Sequence, residues 1–212
     1  MGELTALHTS AASLAGQGFD ITAVFNAAWY NEQLRTEGST ELPPLPTFAR
    51  EDGAPALLIG NSAALWPIFL KWLRAQYDPT VANPLDACAE MRSPFGGSPP
   101  GLNAGTFPHR YAAAVIGRAV QMLTMAGIKH ETFWASEPAA ERRVSMARAA
   151  SACGLCYHDQ TTELTIHPAY GAWTALRAVV VLDASAGSLG EPPPQQPCPI
   201  SPEEREALGV AM

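Results

Sequence analysis

The sequence predicts an α+β fold with a mixed sheet, in a single domain that spans residues 1–212. Two observations favour this class: apolar segments of strand-like and helix-like spacing alternate along the chain, and irregular segments separate them. A chain of 212 residues has the length of one domain and can bury a core without disulfides or structural metals. Irregular structure is expected in two segments rich in proline and glycine, the loop 93–106 and the linker 184–200.

The N-terminal third of the chain predicts three helices and two strands. Leucine and alanine recur at helical spacing from Leu4 to Leu14, and Gly16 ends this pattern. Residues 35–53 contain three prolines and are expected to cross the surface as a loop. The predicted helices are 4–15, 27–34 and 62–76, and the predicted strands are 21–25 and 56–60. The third helix is expected to pack one face on the sheet, formed by Trp66, Phe69, Leu70 and Leu73.

The remaining two thirds continue this alternation. Asn83, Pro84 and Asp86 are typical of a helix start, because they supply an N-cap, a proline at the first helical position and an early acid. Ser201 and Glu204 have the spacing of a capping box, which predicts a short last helix. The other predicted helices are 109–127 and 138–157, and the other predicted strands are 129–135, 164–167 and 175–183.

The charge distribution excludes two classes of ligand. The net charge is -7, the pI is about 5.2, and no basic run exceeds Arg142–Arg143. Nucleic acids and anionic membrane surfaces require clustered basic residues, so neither is an expected partner. Residues 1–18 contain no basic segment followed by an apolar run, so no signal peptide is expected. Polar residues and a proline interrupt the apolar stretch 54–73, so no membrane span is expected there. With four cysteines that fit free thiols, a cytoplasmic location is expected.

Cys153 and Cys156 form a C-x-x-C pattern near the end of the helix predicted over 138–157. Two thiols at this spacing share a helix face, and three interpretations are open: small core residues, a redox couple, or a zinc site completed by His158 and His167. Core packing is favoured. Redox pairs usually lie where a strand enters a helix, and zinc ligands are usually spaced more closely than these histidines.

The segment from Ile166 to Trp173 is the most informative stretch of the chain. It joins two predicted strands through a proline, a glycine and two aromatic residues. Gly171 permits close approach of a backbone, and Tyr170 and Trp173 offer flat apolar faces with one polar tip each. This composition is typical of a pocket wall, and equally of a structural turn with core aromatics. Since the sequence contains no nucleotide-binding, catalytic-serine or zinc-protease motif, its chemistry is expected to belong to a bound cofactor.

Four blocks of sequence resemble the CblC-type cobalamin-processing family, in the order of that family and over roughly residues 18–209. Residues 166–173, IHPAYGAW, and 175–182, ALRAVVVL, resemble its block I-H-P-R-F-G-G-W…I-R-G-V-V-L-L. Three further stretches agree with the family. Residues 27–34 resemble its V-A-W-Y-N-E-L-L, residues 83–88 its D-P-V-D-Q-C, and residues 149–157 its A-A-H-V-A-G-A-A-Y.

The resemblance implies a flavin-reductase-like (nitroreductase-type) fold that binds cobalamin base-off and removes its upper ligand. In that family, cyanide is removed reductively with electrons from a flavin, here FMN or FAD, and alkyl groups are transferred to glutathione. Cobalt is then held only through the corrinoid. The residues implied to bind this cofactor are Gly154, Tyr157, His167, Pro168, Tyr170, Gly171 and Trp173.

Two departures from the family bear on its chemistry. The family's arginine after H-P, implied to clamp a glutathione carboxylate, is Ala169 here, and alanine has no comparable donor. The family's H-P before the long helix is Glu137–Pro138. Reductive removal of cyanide is therefore favoured over glutathione-dependent dealkylation. Cys153 and Cys156 flank Gly154, which makes these thiols the candidate catalytic groups, as cobalt ligand or reductant in place of glutathione.

The same resemblance leaves two other functions open. In the favoured interpretation, the chain is an oxidoreductase that acts on cobalamin. The two alternatives are a non-catalytic corrinoid carrier and a flavin-dependent reductase without corrinoid. A downstream cobalamin enzyme or carrier is the implied partner, and the chain is expected to be a monomer or a homodimer.

Overall fold

The predicted α+β class is confirmed by the computed structural model of the chain. One four-stranded sheet carries helices on both faces, and two further short strands pair with each other. The structure describes residues 2–75, 107–160, 162–201 and 203–204. The predicted helix start at Asn83 and the predicted loop 93–106 lie outside the described residues.

The four-stranded sheet is antiparallel in every described pairing. Its spatial order is β1 (Ile21–Asn26), β2 (Pro55–Asn61), β6 (Ala175–Leu182) and β3 (His130–Trp134). The predicted mixed sheet is therefore wrong for the described part of the chain. Strand direction depends on the end of the sheet at which each connection returns the chain, and residue spacing does not encode this. The second sheet pairs β4 (Tyr157–His158) with β5 (Thr165–Ile166), also antiparallel.

Helices cover both faces of the larger sheet. They are α1 (Glu3–Ala15), α2 (Ala27–Thr36), α3 (Leu65–Ala75), α4 (Phe107–Met125) and α5 (Met146–Ala152). The first four lie where the sequence predicts helices, and β1, β2, β3 and β6 lie on predicted strands. Among the helices that the structure describes, none combines the length and apolar character needed to cross a membrane.

The helix predicted over 138–157 is wrong. This segment begins with a 3-10 turn at Ala140–Arg142 and becomes α-helical only in α5, where the Ser145 side chain accepts a hydrogen bond from the N–H of Arg148 (3.2 Å). The helix ends at Cys153 because Gly154 adopts a left-handed conformation with φ +66°. Alanine and arginine favour helix, yet this cap and this glycine limit it to seven residues.

Alternation along β6 divides the core into two clusters, one on each face of the sheet. Ala178 and Val180 pack with α1, α3 and α4, whereas Val179 and Val181 pack with α2 and α5. Both faces of this strand are buried because it is an interior strand covered by helices on either side.

Three local predictions have different outcomes. Trp66 is 56% exposed, so the prediction that it packs on the sheet is wrong, and Phe69 is the buried aromatic residue of α3. The capping box is confirmed, since the N–H of Glu204 donates to Ser201 Oγ (3.1 Å) and the N–H of Ser201 to Glu204 Oε2 (2.8 Å). The segment 184–200 is irregular as predicted, apart from a 3-10 turn at Gly187–Leu189.

Candidate functional site

The pairing of β4 with β5 brings together the two segments that the family resemblance singles out. Tyr157 lies opposite Ile166, and β4 follows the turn that contains Cys153 and Gly154. β5 leads directly into His167. The predicted site residues therefore belong to one short hairpin and the turns at its two ends.

The segment from His167 to Gly171 is a closed turn. The N–H of His167 donates to the carbonyl of Gly171 (2.9 Å), and the N–H of Gly171 donates to the carbonyl of His167 (2.8 Å). Gly171 has φ +61°, a left-handed conformation that glycine adopts without a steric cost. The turn holds Pro168, Ala169 and Tyr170 exposed at its tip.

Two aromatic side chains of this segment are open to solvent. Trp173 is 87% exposed and Tyr170 is 41% exposed. The interpretation of this segment as a structural turn with core aromatic residues is therefore wrong. The Tyr170 ring stacks on the ring of His167, with 4.8 Å between centroids. Exposed aromatic faces of this kind suit the binding of a flat, partly apolar molecule.

The hydrogen bonding of His167 defines what its ring offers to a ligand. Its Nδ1 accepts a hydrogen bond from the N–H of Ala169 (3.1 Å), so in the neutral ring the proton lies on Nε2. Burial lowers the pKa of His167, although the charge of Asp20 partly opposes this effect. The neutral form is thus favoured at pH 7, and Nε2–H remains a donor for a ligand carbonyl.

Asp20 links the turn to the larger sheet, and no sequence motif marks it. Its carboxylate accepts hydrogen bonds from the N–H (2.8 Å) and the hydroxyl (2.5 Å) of Ser62, which follows β2. Burial alone would raise the pKa of Asp20, but these bonds from Ser62, with a weaker one from Tyr170, lower it. An ionised carboxylate therefore interacts with Tyr170 and links this residue to the end of β2.

Gly154 lies in a more crowded place than the resemblance suggests. A Cβ at this position would approach Pro193 Cγ to 2.9 Å and the carbonyl oxygen of Pro194 to 3.0 Å. The Gln196 side chain donates to the Gly154 carbonyl (2.7 Å). The segment 184–200 thus packs on this glycine, and the role of Gly154 in corrinoid binding stays a prediction.

The two thiols of the C-x-x-C pattern do not share a helix face. Cys153 is the C-cap of α5, and Cys156 lies beyond the left-handed Gly154 and is buried. Burial raises the pKa of Cys153 to about 12 and that of Cys156 to about 11. Because the thiolate is the form that reacts with metals and disulfides, this environment favours the core interpretation over a redox couple.

The zinc interpretation requires Cys153, Cys156, His158 and His167 to lie close together. Among the described residues, which include all four proposed ligands, no group of three histidine, cysteine, aspartate or glutamate side chains is arranged to hold a metal ion. His158 is instead buried in β4, with its Nε2 3.5 Å from an oxygen of Glu163. Glu163 also pairs with Arg148, which makes a shorter ion pair to Glu37 (2.7 Å).

Comparisons with known proteins agree with the sequence resemblance. The chain is 23% identical over 216 residues to the cyanocobalamin reductase / alkylcobalamin dealkylase of Danio rerio. The alignment covers 95% of this chain and 74% of that protein. Its fold matches the crystal structure of a C. elegans B12-trafficking protein, CblC, with a TM-score of 0.61 and 18% identity over 97% of this chain and 81% of that chain.

The other comparisons add no further argument. No protein-family model matches the chain. The likeness to the epoxyqueuosine reductase of Streptococcus thermophilus has a TM-score of 0.49 and 12% identity, over 93% of this chain and 49% of that chain, which is too weak to support a conclusion. The predicted resemblance to the CblC-type family is confirmed by the Danio rerio relative, and the C. elegans structure shows the shared fold.

Proposed function

We propose that this relative of the CblC-type family binds cobalamin base-off and removes cyanide from its cobalt by reduction. The observation that carries the proposal is the exposed aromatic surface of the segment that follows β5, where Tyr170 stacks on His167 and Trp173 is open to solvent. The proposal includes a nitroreductase-type fold, a cytoplasmic location, and a downstream cobalamin enzyme or carrier that receives the product.

The chemistry of the surface fits a corrinoid. A corrin macrocycle is flat and largely apolar, and its periphery carries amides. The aromatic faces of Trp173 and Tyr170 match the ring, and exposed aromatic area is where such a ligand gains most from leaving water. In the neutral ring of His167, Nε2–H is the donor that a peripheral amide carbonyl would meet, since Nδ1 accepts from the N–H of Ala169.

The proposed reaction needs one electron. Loss of the lower nitrogen ligand makes Co(III) easier to reduce, because that ligand donates electron density to the metal. One electron from a reduced flavin, FMN or FAD, converts Co(III) to Co(II), and the Co–C bond breaks with its electron pair leaving on cyanide. Ala169, exposed at the tip of the turn, has no group to clamp a carboxylate, so glutathione-dependent dealkylation is not included.

An anaerobic absorbance titration tests this proposal. The protein is mixed with cyanocobalamin or hydroxocobalamin, with and without reduced FMN or FAD. We expect a shift to the base-off spectrum on binding, and the spectrum of cob(II)alamin when the flavin is supplied. The absence of any spectral change with either corrinoid would refute the proposal.

The same titration separates the two alternatives. Base-off binding with no reduction in the presence of flavin would identify a corrinoid carrier. A protein that holds flavin and reduces other acceptors, yet leaves the cobalamin spectrum unchanged, would be a flavin-dependent reductase without corrinoid.

A further inference from the structure

Arg177 occupies a β-bulge that redirects its side chain. Leu176 and Ala178 lie opposite consecutive residues of β2, so Arg177 has no partner on that strand. Strict alternation would place Arg177 on the face of Val179. Instead, Leu176 packs against the cluster on that face. The Arg177 guanidinium contacts His109 of α4, on the opposite face.

The positive charge of Arg177 has no carboxylate partner among the described residues. Its Nε donates to Asn61 Oδ1 (2.8 Å), and its Nη1 lies 3.4 Å from His109 Nδ1. Burial lowers the pKa of His109, and the charge of Arg177 lowers it further, so the ring is neutral at pH 7. Within the described residues, its two hydrogen-bonding partners are neutral and leave this half-buried cation uncompensated, whereas a charge in such a place is normally paired.

A cavity open to solvent adjoins this cation. Its volume is about 140 Å³, and His109, Ser136 and Arg177 form its polar lining. Trp134 and Leu176 supply apolar walls. A cavity of about 150 Å³ holds one benzene molecule, so this cavity takes a group of about six non-hydrogen atoms and is far too small for a corrin or a flavin ring.

We propose that this cavity binds the carboxylate of a small organic acid, with Arg177 as its counterion. Among the described residues, only Asn61 and His109 engage the guanidinium, which leaves it donors for a carboxylate. The Ser136 hydroxyl is a further donor in the lining. The walls formed by Trp134 and Leu176 suit the hydrocarbon part of the acid, which favours a short-chain carboxylate over inorganic phosphate. This binding requires neither corrinoid nor flavin, so it does not rest on the proposed function.

The test titrates the full chain, free of corrinoid, with propionate, butyrate and inorganic phosphate. Thermal unfolding reports binding, and the histidine ring signals in NMR spectra report its location, with the His109→Gln variant identifying the signal of His109. We expect both carboxylates to raise the unfolding temperature and to shift the His109 signal. Because a bound anion offsets the charge of Arg177, the pKa of His109 should rise on binding, and affinity should increase as the pH falls.

Three variants locate the counterion. Arg177→Gln should weaken carboxylate binding by about tenfold or more, because a charge-assisted hydrogen bond is lost. Arg177→Lys keeps the charge without the planar guanidinium, so its carboxylate affinity should lie between those of Arg177→Gln and the unaltered chain. Arg35→Gln, which removes an exposed arginine paired with its helix neighbour, should bind as the unaltered chain does.

The proposal is overturned by an unmoved His109 signal with both carboxylates, or by equal carboxylate affinity in Arg177→Gln. Phosphate binding without carboxylate binding would overturn the assignment to an organic acid. If Arg177→Gln does not fold, the comparison of Arg177→Lys with the unaltered chain and the His109 titration decide the question.

Discussion

The Trp173→Ala variant isolates the contribution of the exposed aromatic surface to cobalamin binding. Trp173 is 87% exposed, so its loss should change the free energy of unfolding by no more than about 0.5 kcal/mol. An indole side chain offers about 200 Å² of surface, and a flat ligand stacked on one face covers roughly 100 Å² of it. At about 25 cal/mol per Å², this contact contributes about 2.5 kcal/mol, which corresponds to a roughly 70-fold change in Kd.

The assay is the base-off absorbance titration with cyanocobalamin, paired with urea unfolding of each variant. Trp66→Ala is the matched control, because Trp66 is also exposed (56%) but belongs to α3 and not to the hairpin. We expect binding to be weakened in Trp173→Ala and unchanged in Trp66→Ala. Unchanged binding in Trp173→Ala, or an equal loss in both variants, would refute the assignment of the corrinoid to this surface.

Three further variants test other parts of the structure. The Cys153→Ala, Cys156→Ala double variant should reduce cyanocobalamin within about twofold of the normal rate in stopped-flow absorbance, because pKa values of about 12 and about 11 keep both groups as thiols at pH 7. Arg148→Gln should lower the free energy of unfolding at pH 7 by about 2 kcal/mol in urea titrations, because its ion pair with Glu37 is largely buried. Burial alone would raise the pKa of Glu37, but the hydrogen bond from Arg148 lowers it below 4.5. This pair therefore stabilises the fold above about pH 4.5 and its contribution is lost as the pH falls through the lowered pKa, a dependence that Arg148→Gln should reduce. Gly171→Ala should cost about 1 kcal/mol in urea unfolding, since φ is +61° and only backbone strain opposes the new methyl group.

Controls and contrary outcomes accompany these variants. Gly16→Ala serves as the control for Gly171→Ala, because Gly16 has φ -64° and should tolerate alanine. Equal stability of Gly171→Ala and the unaltered chain would contradict the left-handed turn. An acid-unfolding profile that is the same with and without Arg148 would contradict its pairing with Glu37. A large loss of rate in the double cysteine variant would restore the thiols as participants in the reaction.

Local patterns predicted most of the larger sheet and its helices. The strands β1, β2, β3 and β6 and the helices α1 to α4 lie where apolar periodicity and glycine stops place them, because these signals act within a few residues of the chain. The helix predicted over 138–157 is the instructive failure. There, Ser145 and Gly154 limit the helix, and the pairing of Tyr157 with Ile166 holds its last predicted residue in a strand.

The site was predictable only in part. The HPAYG segment stood out in the sequence through its glycine and aromatic residues, and its likeness to a family block pointed to the same residues. Asp20 carried no signal, because its role comes from Ser62, 42 residues away. The contact of Pro193 with Gly154 could not be predicted either, because the composition of 184–200 is that of a linker and does not indicate what the segment packs against.

The sequence by itself determined the fold class, the main strands and helices, and the family resemblance, because each follows from residue type and short-range spacing. Tertiary structure alone decided the antiparallel direction of the strands and the exposure of Trp173. It also decided the bulge that turns Arg177 towards His109, and the burial that keeps the thiol of Cys153 protonated. The physical reason is that direction, exposure and pKa depend on neighbours distant in sequence, whose positions exist only once the chain has folded.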